Sequence, residues 1–152
     1  MNNFQGLGND FGTYAISRKN GNFFIHSTVG GRGNTLVQDA KLGMTSSSYV
    51  VKVTSVDLFV KEKGISVDCI KIDAEGAELG VLKGAAETIS KRKPFILLSI
   101  HPEPIQSRGD SITEIWDLLQ QFGYKVLLDG KEMDKNSFCN ATNLFDVHLI
   151  SR

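Results

Sequence analysis

Cysteine is scarce: of 152 residues only Cys69 and Cys139 carry a thiol, far apart and without a CxxC pair. That spacing disfavours both a disulfide framework and a zinc site, and a reducing compartment fits best. Charge of one sign is lacking as well. Lys+Arg 17 against Asp+Glu 17 leave a formal net charge of +0, so no long-range field draws in nucleic acid or anionic lipid, and neither is expected as a partner. Long apolar runs are missing too. Stretches such as Phe95 to Leu98 are far too short to span a bilayer, and residues 1 to 30 show no basic start followed by an apolar core. A cytoplasmic, soluble chain is the resulting expectation. No internal repeat or low-complexity tract is evident.

What is present is an ordinary globular composition. With 41% hydrophobic and 22% charged residues, neither intrinsic disorder nor a disulfide-stapled miniprotein fits, and a chain of this length buries about two thirds of its unfolded surface in one domain. Its organisation changes near residue 48. Before that point Gly, Asn and Ser dominate. Asn20-Gly21 lies between Thr13-Tyr14-Ala15-Ile16-Ser17 and Asn22-Phe23-Phe24-Ile25-His26; because both turn residues tolerate positive φ, this predicts an N-terminal β-hairpin. Val29 to Ser48 then reads as a long loop.

From Tyr49 onward apolar runs and amphipathic stretches alternate. Val50 to Val56 predicts a strand and Leu58 to Lys63 a short helix. Val67 to Asp73 predicts a buried strand, running into one helix with Leu82, Ala85, Ala86 and Ile89 on its apolar face. Pro94 stops that helix, and Phe95 to Ile100 is near-continuously apolar, as in parallel strands covered on both faces. Ser111-Ile112-Thr113-Glu114 has the form of a capping box, opening a helix that ends at Gly123, with Trp116 and Phe122 on its apolar stripe. Lys125 to Leu128 and Leu144 to Ile150 predict two closing strands. Alternation of this kind implies an α/β fold with a mostly parallel sheet.

Chemistry concentrates where the strand ending at Asp73 turns into its helix. The stretch Asp73-Ala74-Glu75-Gly76-Ala77-Glu78 places three carboxylates there, and the next strand ends at Ser99, His101 and Glu103. Parallel strands joined by one helix are commonly neighbours, so Asp73, Glu75 and His101 should converge at the carboxyl edge where open α/β sheets bind ligands. Structural roles compete with this reading. Asp73 suits a helix N-cap and Glu75 a first helical turn. His101, held extended by Pro102, is either a base near neutral pH or a satisfied structural histidine. His26 and His148 fall mid-strand, away from that edge. Carboxylate plus imidazole suits several divalent ions, but no tight motif such as HExxH supports a metal. Gly6 to Gly12 and Gly30 to Asn34 match neither GxGxxG before a helix nor a P-loop.

The same residues carry a resemblance. Ile70-Lys71-Ile72-Asp73-Ala74-Glu75-Gly76-Ala77-Glu78, followed by Val81-Leu82-Lys83-Gly84-Ala85, closely resembles the IKIDVEGAE..VLKGA motif of the FkbM methyltransferases. Thr54-Ser55-Val56-Asp57, Gly6-Leu7-Gly8-Asn9-Asp10-Phe11-Gly12 and His101-Pro102 are similar to further family segments. The resemblance implies a Rossmann-like class I methyltransferase fold with strand order 3-2-1-4-5-7-6 and S-adenosylmethionine as cofactor. The chain would align from about the end of strand three, as a single partial domain lacking the first strands and the glycine-rich cofactor loop. Gly8 and Asn9 would then lie near the adenine, Asp73 and Glu75 near the transferred methyl group, and His101 beside the acceptor.

O-methylation of a hydroxyl on a sugar or natural product is the activity so implied, with Asp73 or His101 as base. A non-catalytic binding or assembly module derived from such an enzyme is the alternative. Partners expected on this reading are a small-molecule or glycan acceptor and either a second copy of the chain or a separately encoded N-terminal part, because strand four would border an unpaired edge.

Overall fold

The computed structural model describes residues 14–16, 21–27, 34–37 and 47–152. The chain divides into two compact units, one comprising Met1–Ala15 and Gly21–Val53, the other Ile16–Asn20 and Thr54–Arg152. In the first, β1 (Tyr14–Ile16), β2 (Gly21–Ser27), β3 (Asn34–Val37) and β4 (Ser47–Thr54) form a sheet in the order β1-β4-β2-β3. β2 pairs antiparallel with β3, from Phe24↔Val37 to Ser27↔Asn34, and with β4, from Gly21↔Val53 to Ser27↔Ser47. The expected hairpin about Asn20-Gly21 is therefore corrected: β1 borders β4, not β2. A β-strand offers two edges, and both edges of β2 are occupied by other strands, which leaves none for β1.

The second unit carries the site. Its strands β5 (Cys69–Ile72), β6 (Phe95–Ile100), β7 (Tyr124–Leu128), β8 (Lys131–Glu132) and β9 (Phe145–Ser151) lie in the order β5-β6-β9-β7-β8. β5 and β6 are parallel, from Cys69↔Phe95 to Ile72↔Leu98, whereas β6–β9, β9–β7 and β7–β8 are antiparallel. This corrects the expectation of a mostly parallel sheet. β9 inserts between β6 and β7 and runs opposite to both, so β5, β6 and β7 share one direction while most neighbouring pairs are antiparallel. β7 and β8 are joined by Asp129 (φ 48) and Gly130 (φ 78), the doubly positive φ of a type I′ hairpin turn.

Helices form where caps and apolar spacing coincide. α1 (Val56–Lys63) starts at Ser55, whose hydroxyl accepts the Leu58 N–H at 3.2 Å, and ends on left-handed Gly64. In α5 (Ile112–Gln121), Ser111 accepts from the Glu114 N–H, while Ile112, Ile115, Trp116 and Leu119 are buried along one stripe. The single helix expected between β5 and β6 is instead two, α2 (Glu78–Gly84) and α3 (Ala86–Arg92), interrupted at Ala85 with φ −112 and ψ 7. Alanine offers no capping side chain. Asp57 of α1 substitutes for one, accepting the Glu87 N–H at 3.0 Å and the Thr88 N–H at 2.7 Å, so the orphan amides of α3 are satisfied from another helix.

α4 (Pro102–Ser107) and α6 (Lys135–Cys139) complete the unit. Alternate strand residues, Ile96, Leu98 and Ile100 in β6, Val147 and Leu149 in β9, and Tyr124 and Val126 in β7, join Leu82, Ile89, Ile105, Leu119 and Phe138 in the core. Each such large side chain contributes about 1.5–3 kcal/mol by leaving water. Among the described residues no helix is long and apolar enough to cross a membrane.

Candidate functional site

β5 and β6 end side by side, and the segments leaving them build the site. After Ile72 the chain turns back through Ala74 to Ala77, whose N–H donates to the Ala74 carbonyl at 3.1 Å. The central residues are Glu75 at φ 44 and Gly76 at φ 99, again a type I′ geometry. Glycine adopts this without cost, but a glutamate at positive φ is strained by about 1–2 kcal/mol. Such strain persists only where the surroundings hold it, and it collects at functional sites. Here the holding contact is α4: a Cβ on Gly76 would lie 2.8 Å from the carbonyl carbon, oxygen and Cβ of Pro104. The turn after β5 is thus pressed against the helix after β6.

α2 begins beyond this turn, with Ala77 at the capping position and Glu78 as its first residue. Asp73 does not cap the helix. It stands free of it, about half exposed, with Oδ2 3.3 Å from Lys71 Nζ and Oδ1 3.6 Å from His101 Nε2. His101 occupies the junction between β6 and α4, its ring mostly covered, because Pro102 at the first helical position is buried and fixes where the helix starts. Its Nδ1 lies 2.8 Å from Oε1 of Glu78, a side chain with no solvent exposure. Lys71 also donates to Ser99 Oγ at 3.4 Å, and the Ser99 hydroxyl donates to Asp146 Oδ1 at 2.5 Å. A continuous polar chain, Glu78–His101–Asp73–Lys71–Ser99–Asp146, therefore runs along the ends of β5, β6 and β9.

Of the residues singled out in the sequence, Asp73 and His101 meet. Glu75 joins neither of them: it is exposed on the turn and makes no hydrogen bond or ion pair among the described residues. Gly8 and Asn9 lie outside the described residues. His148 is exposed in β9, its ring 5.8 Å from that of Phe95. Among the described residues no group of three or more His, Cys, Asp or Glu side chains is placed to hold a metal ion. Sequence reasoning did not give Glu78 a role, although a signal existed: Glu78, Leu82, Ala85 and Ile89 follow i, i+4, i+7 and i+11, which puts a carboxylate on a buried stripe. Lys71, Ser99 and Asp146 carried no such signal, since their meeting depends on the strand order.

A half-exposed carboxylate thus stands beside a mostly covered imidazole at the carboxyl ends of two parallel strands, two groups able to exchange protons. Residues 1–126 match the sequence profile described as the Methyltransferase FkbM domain. The chain belongs to the FkbM methyltransferase family. The profile spans β5, β6 and the whole of the Asp73–Glu78 turn, so these FkbM residues are the family's own segment rather than an appended one. A crystal structure of Methyltransferase FkbM from Methylobacillus flagellatus KT aligns at 23% sequence identity with a TM-score of 0.41, over 66% of this chain and 23% of that one. This chain thus spans under a quarter of the length of that relative. No curated protein matches it.

Proposed function

We propose that the chain carries the acceptor side of an S-adenosylmethionine-dependent O-methyltransferase whose substrate is a hydroxyl group on a sugar or other small natural product. The observation that carries this reading is His101 Nε2, 3.6 Å from Asp73 Oδ1 where β5 and β6 end. Strand order supports it. β5-β6-β9-β7, with β9 reversed between two strands of common direction, corresponds to the 4-5-7-6 half of the class I methyltransferase sheet.

S-adenosylmethionine, when bound, supplies an electrophilic methyl group on a cationic sulfonium. The described residues fit the charged end of that group: Asp73 presents a half-exposed carboxylate on the rim, and Glu75 adds an exposed one on the adjoining turn. Asp73 holds positive charge at the edge, and its partial exposure leaves it open to a ligand. His101 Nε2 accepts the proton of the incoming hydroxyl, a contribution of about 10²- to 10⁴-fold when the base is well placed. Both groups directly follow the last residues of β5 and β6, so the paired strands fix where they stand, which is what positioning catalysis requires.

Two measurements on the full chain test this. Titration calorimetry with S-adenosylmethionine should detect binding that Asp73→Asn weakens at least about tenfold, equivalent to about 1.4 kcal/mol. Transfer of labelled methyl from S-adenosylmethionine to a panel of free monosaccharides and phenyl glycosides should fall about 10²-fold or more in His101→Ala with little change in cofactor affinity. Transfer left unchanged in His101→Ala, or cofactor binding left unchanged in Asp73→Asn, would overturn the proposal.

A further inference from the structure

Glu78 is the least expected residue of the site. It is fully buried, and among the described residues no lysine or arginine pairs with it and its Oε2 has no hydrogen-bond partner. Leaving a carboxylate oxygen bare in the interior costs several kcal/mol, so such a group calls for a specific explanation. Its other oxygen supplies one. Oε1 accepts the Gly76 N–H at 3.1 Å and lies 2.8 Å from His101 Nδ1.

An amide N–H is only a donor, so Oε1 is an acceptor at Gly76. With Oε1 accepting there, and imidazole being a stronger base than a carboxylate, the proton of the short contact to the ring belongs on Nδ1. In the neutral ring that leaves the lone pair on Nε2, the nitrogen that faces Asp73 and the rim. One oxygen atom thereby ties three segments together: the strained Glu75-Gly76 turn, the first turn of α2, and the β6–α4 junction that bears His101. Because the turn is also wedged on Pro104, the oxygen that holds the imidazole is itself held, and rotating the ring would break this contact.

We infer that Glu78 is a positioning residue that sets both the tautomer and the orientation of His101, holding Nε2 as the proton acceptor directed at the substrate side. The inference rests on the reading of His101 as base, but it is tested independently of turnover. Long-range proton–nitrogen correlation spectra of the 15N-labelled full chain, with His101 assigned by its loss in His101→Gln, report which ring nitrogen is protonated. In the wild type, the neutral ring of His101 should show a protonated Nδ1 and a bare Nε2. Glu78→Gln should keep this pattern, since the Gly76 N–H still orients the amide oxygen toward both donors. Glu78→Leu, similar in size and without an acceptor, should lose it.

A wild-type His101 protonated on Nε2, or a pattern unchanged in Glu78→Leu, would overturn the inference. Where methyl transfer is measured, kcat should drop about 100-fold or more in Glu78→Leu with cofactor KM nearly constant, and Glu78→Gln should recover most of it. No transfer by the wild type combined with the expected tautomer would overturn the functional proposal while upholding this one.

Discussion

Replacing Gly76 by alanine tests the geometry on which the site depends, and the structure allows its cost to be worked out. Two effects add. Gly76 sits at φ 99, where an L side chain is strained by about 1–2 kcal/mol. The new Cβ would also fall 2.8 Å from three atoms of Pro104, two of them backbone, and a contact that no rotamer relieves resembles overpacking, about 1–3 kcal/mol. Gly76→Ala should therefore lose about 2–5 kcal/mol, a large share of the roughly 5–15 kcal/mol of a typical domain. Two other glycines separate the terms. Gly64 has φ 62 with no atom near a built Cβ, so Gly64→Ala should cost only the conformational part, about 1–2 kcal/mol. Gly80 lies within α2, has no neighbour near a built Cβ and needs no positive φ; Gly80→Ala should gain about 0.5–1 kcal/mol. Urea unfolding followed by Trp116, the single tryptophan and a core residue, reports on this unit directly. A Gly76→Ala loss no greater than that of Gly64→Ala would refute the close approach of turn and helix.

Other consequences are as direct. Asp57→Ala should lose about 1–2 kcal/mol, because two amides of α3 are deprived of their acceptor; the same urea titration measures it, and an unchanged midpoint would show that α3 caps itself. The Tyr124 hydroxyl donates to the Pro94 carbonyl at 2.6 Å, and burial pushes its phenol up to about 12. The folded state thus holds this proton more tightly than the unfolded one, so its contribution is complete below about pH 10 and is lost as pH rises toward 12. Ultraviolet titration should show one tyrosine ionising only near unfolding, and Tyr124→Phe should remove that late step. His101→Ala should destabilise the fold by about 1–3 kcal/mol, because buried Glu78 loses one of its two donors, whereas Asp73→Ala, at a half-exposed position, should stay within about 0.5 kcal/mol; equal losses from the two would contradict the burial of Glu78.

The legible parts of the fold were those governed by local physics. The Ser111 cap and the stripe Ile112, Ile115, Trp116, Leu119 mark α5 because a helix repeats its core face every three to four residues and needs a side chain to satisfy its first amides. β6 is equally clear from its apolar run, and Asp129-Gly130 carried a hairpin signal as good as Asn20-Gly21. Only the former joins neighbouring strands. Turn chemistry states that the chain can reverse; which strand it then pairs with depends on what else occupies the edge. The break at Ala85 was hidden for a related reason, since nothing near it in sequence shows that Asp57, some thirty positions earlier, supplies the missing cap.

By itself the sequence determined the family, through the Ile70–Glu78 motif, and the meeting of Asp73 with His101, because parallel strands joined by a short helical crossover place their carboxyl ends side by side. Tertiary structure alone decided that β9 runs antiparallel to both of its neighbours, that Ser99 and Asp146 join the polar chain, that Glu75 stands apart on a strained turn, and that Glu78 is buried against the imidazole. The physical reason is common to all four. Each depends on pairing or burial between segments far apart along the chain, and a residue type states what a side chain can donate, accept or bury but not which distant group will be within reach of it.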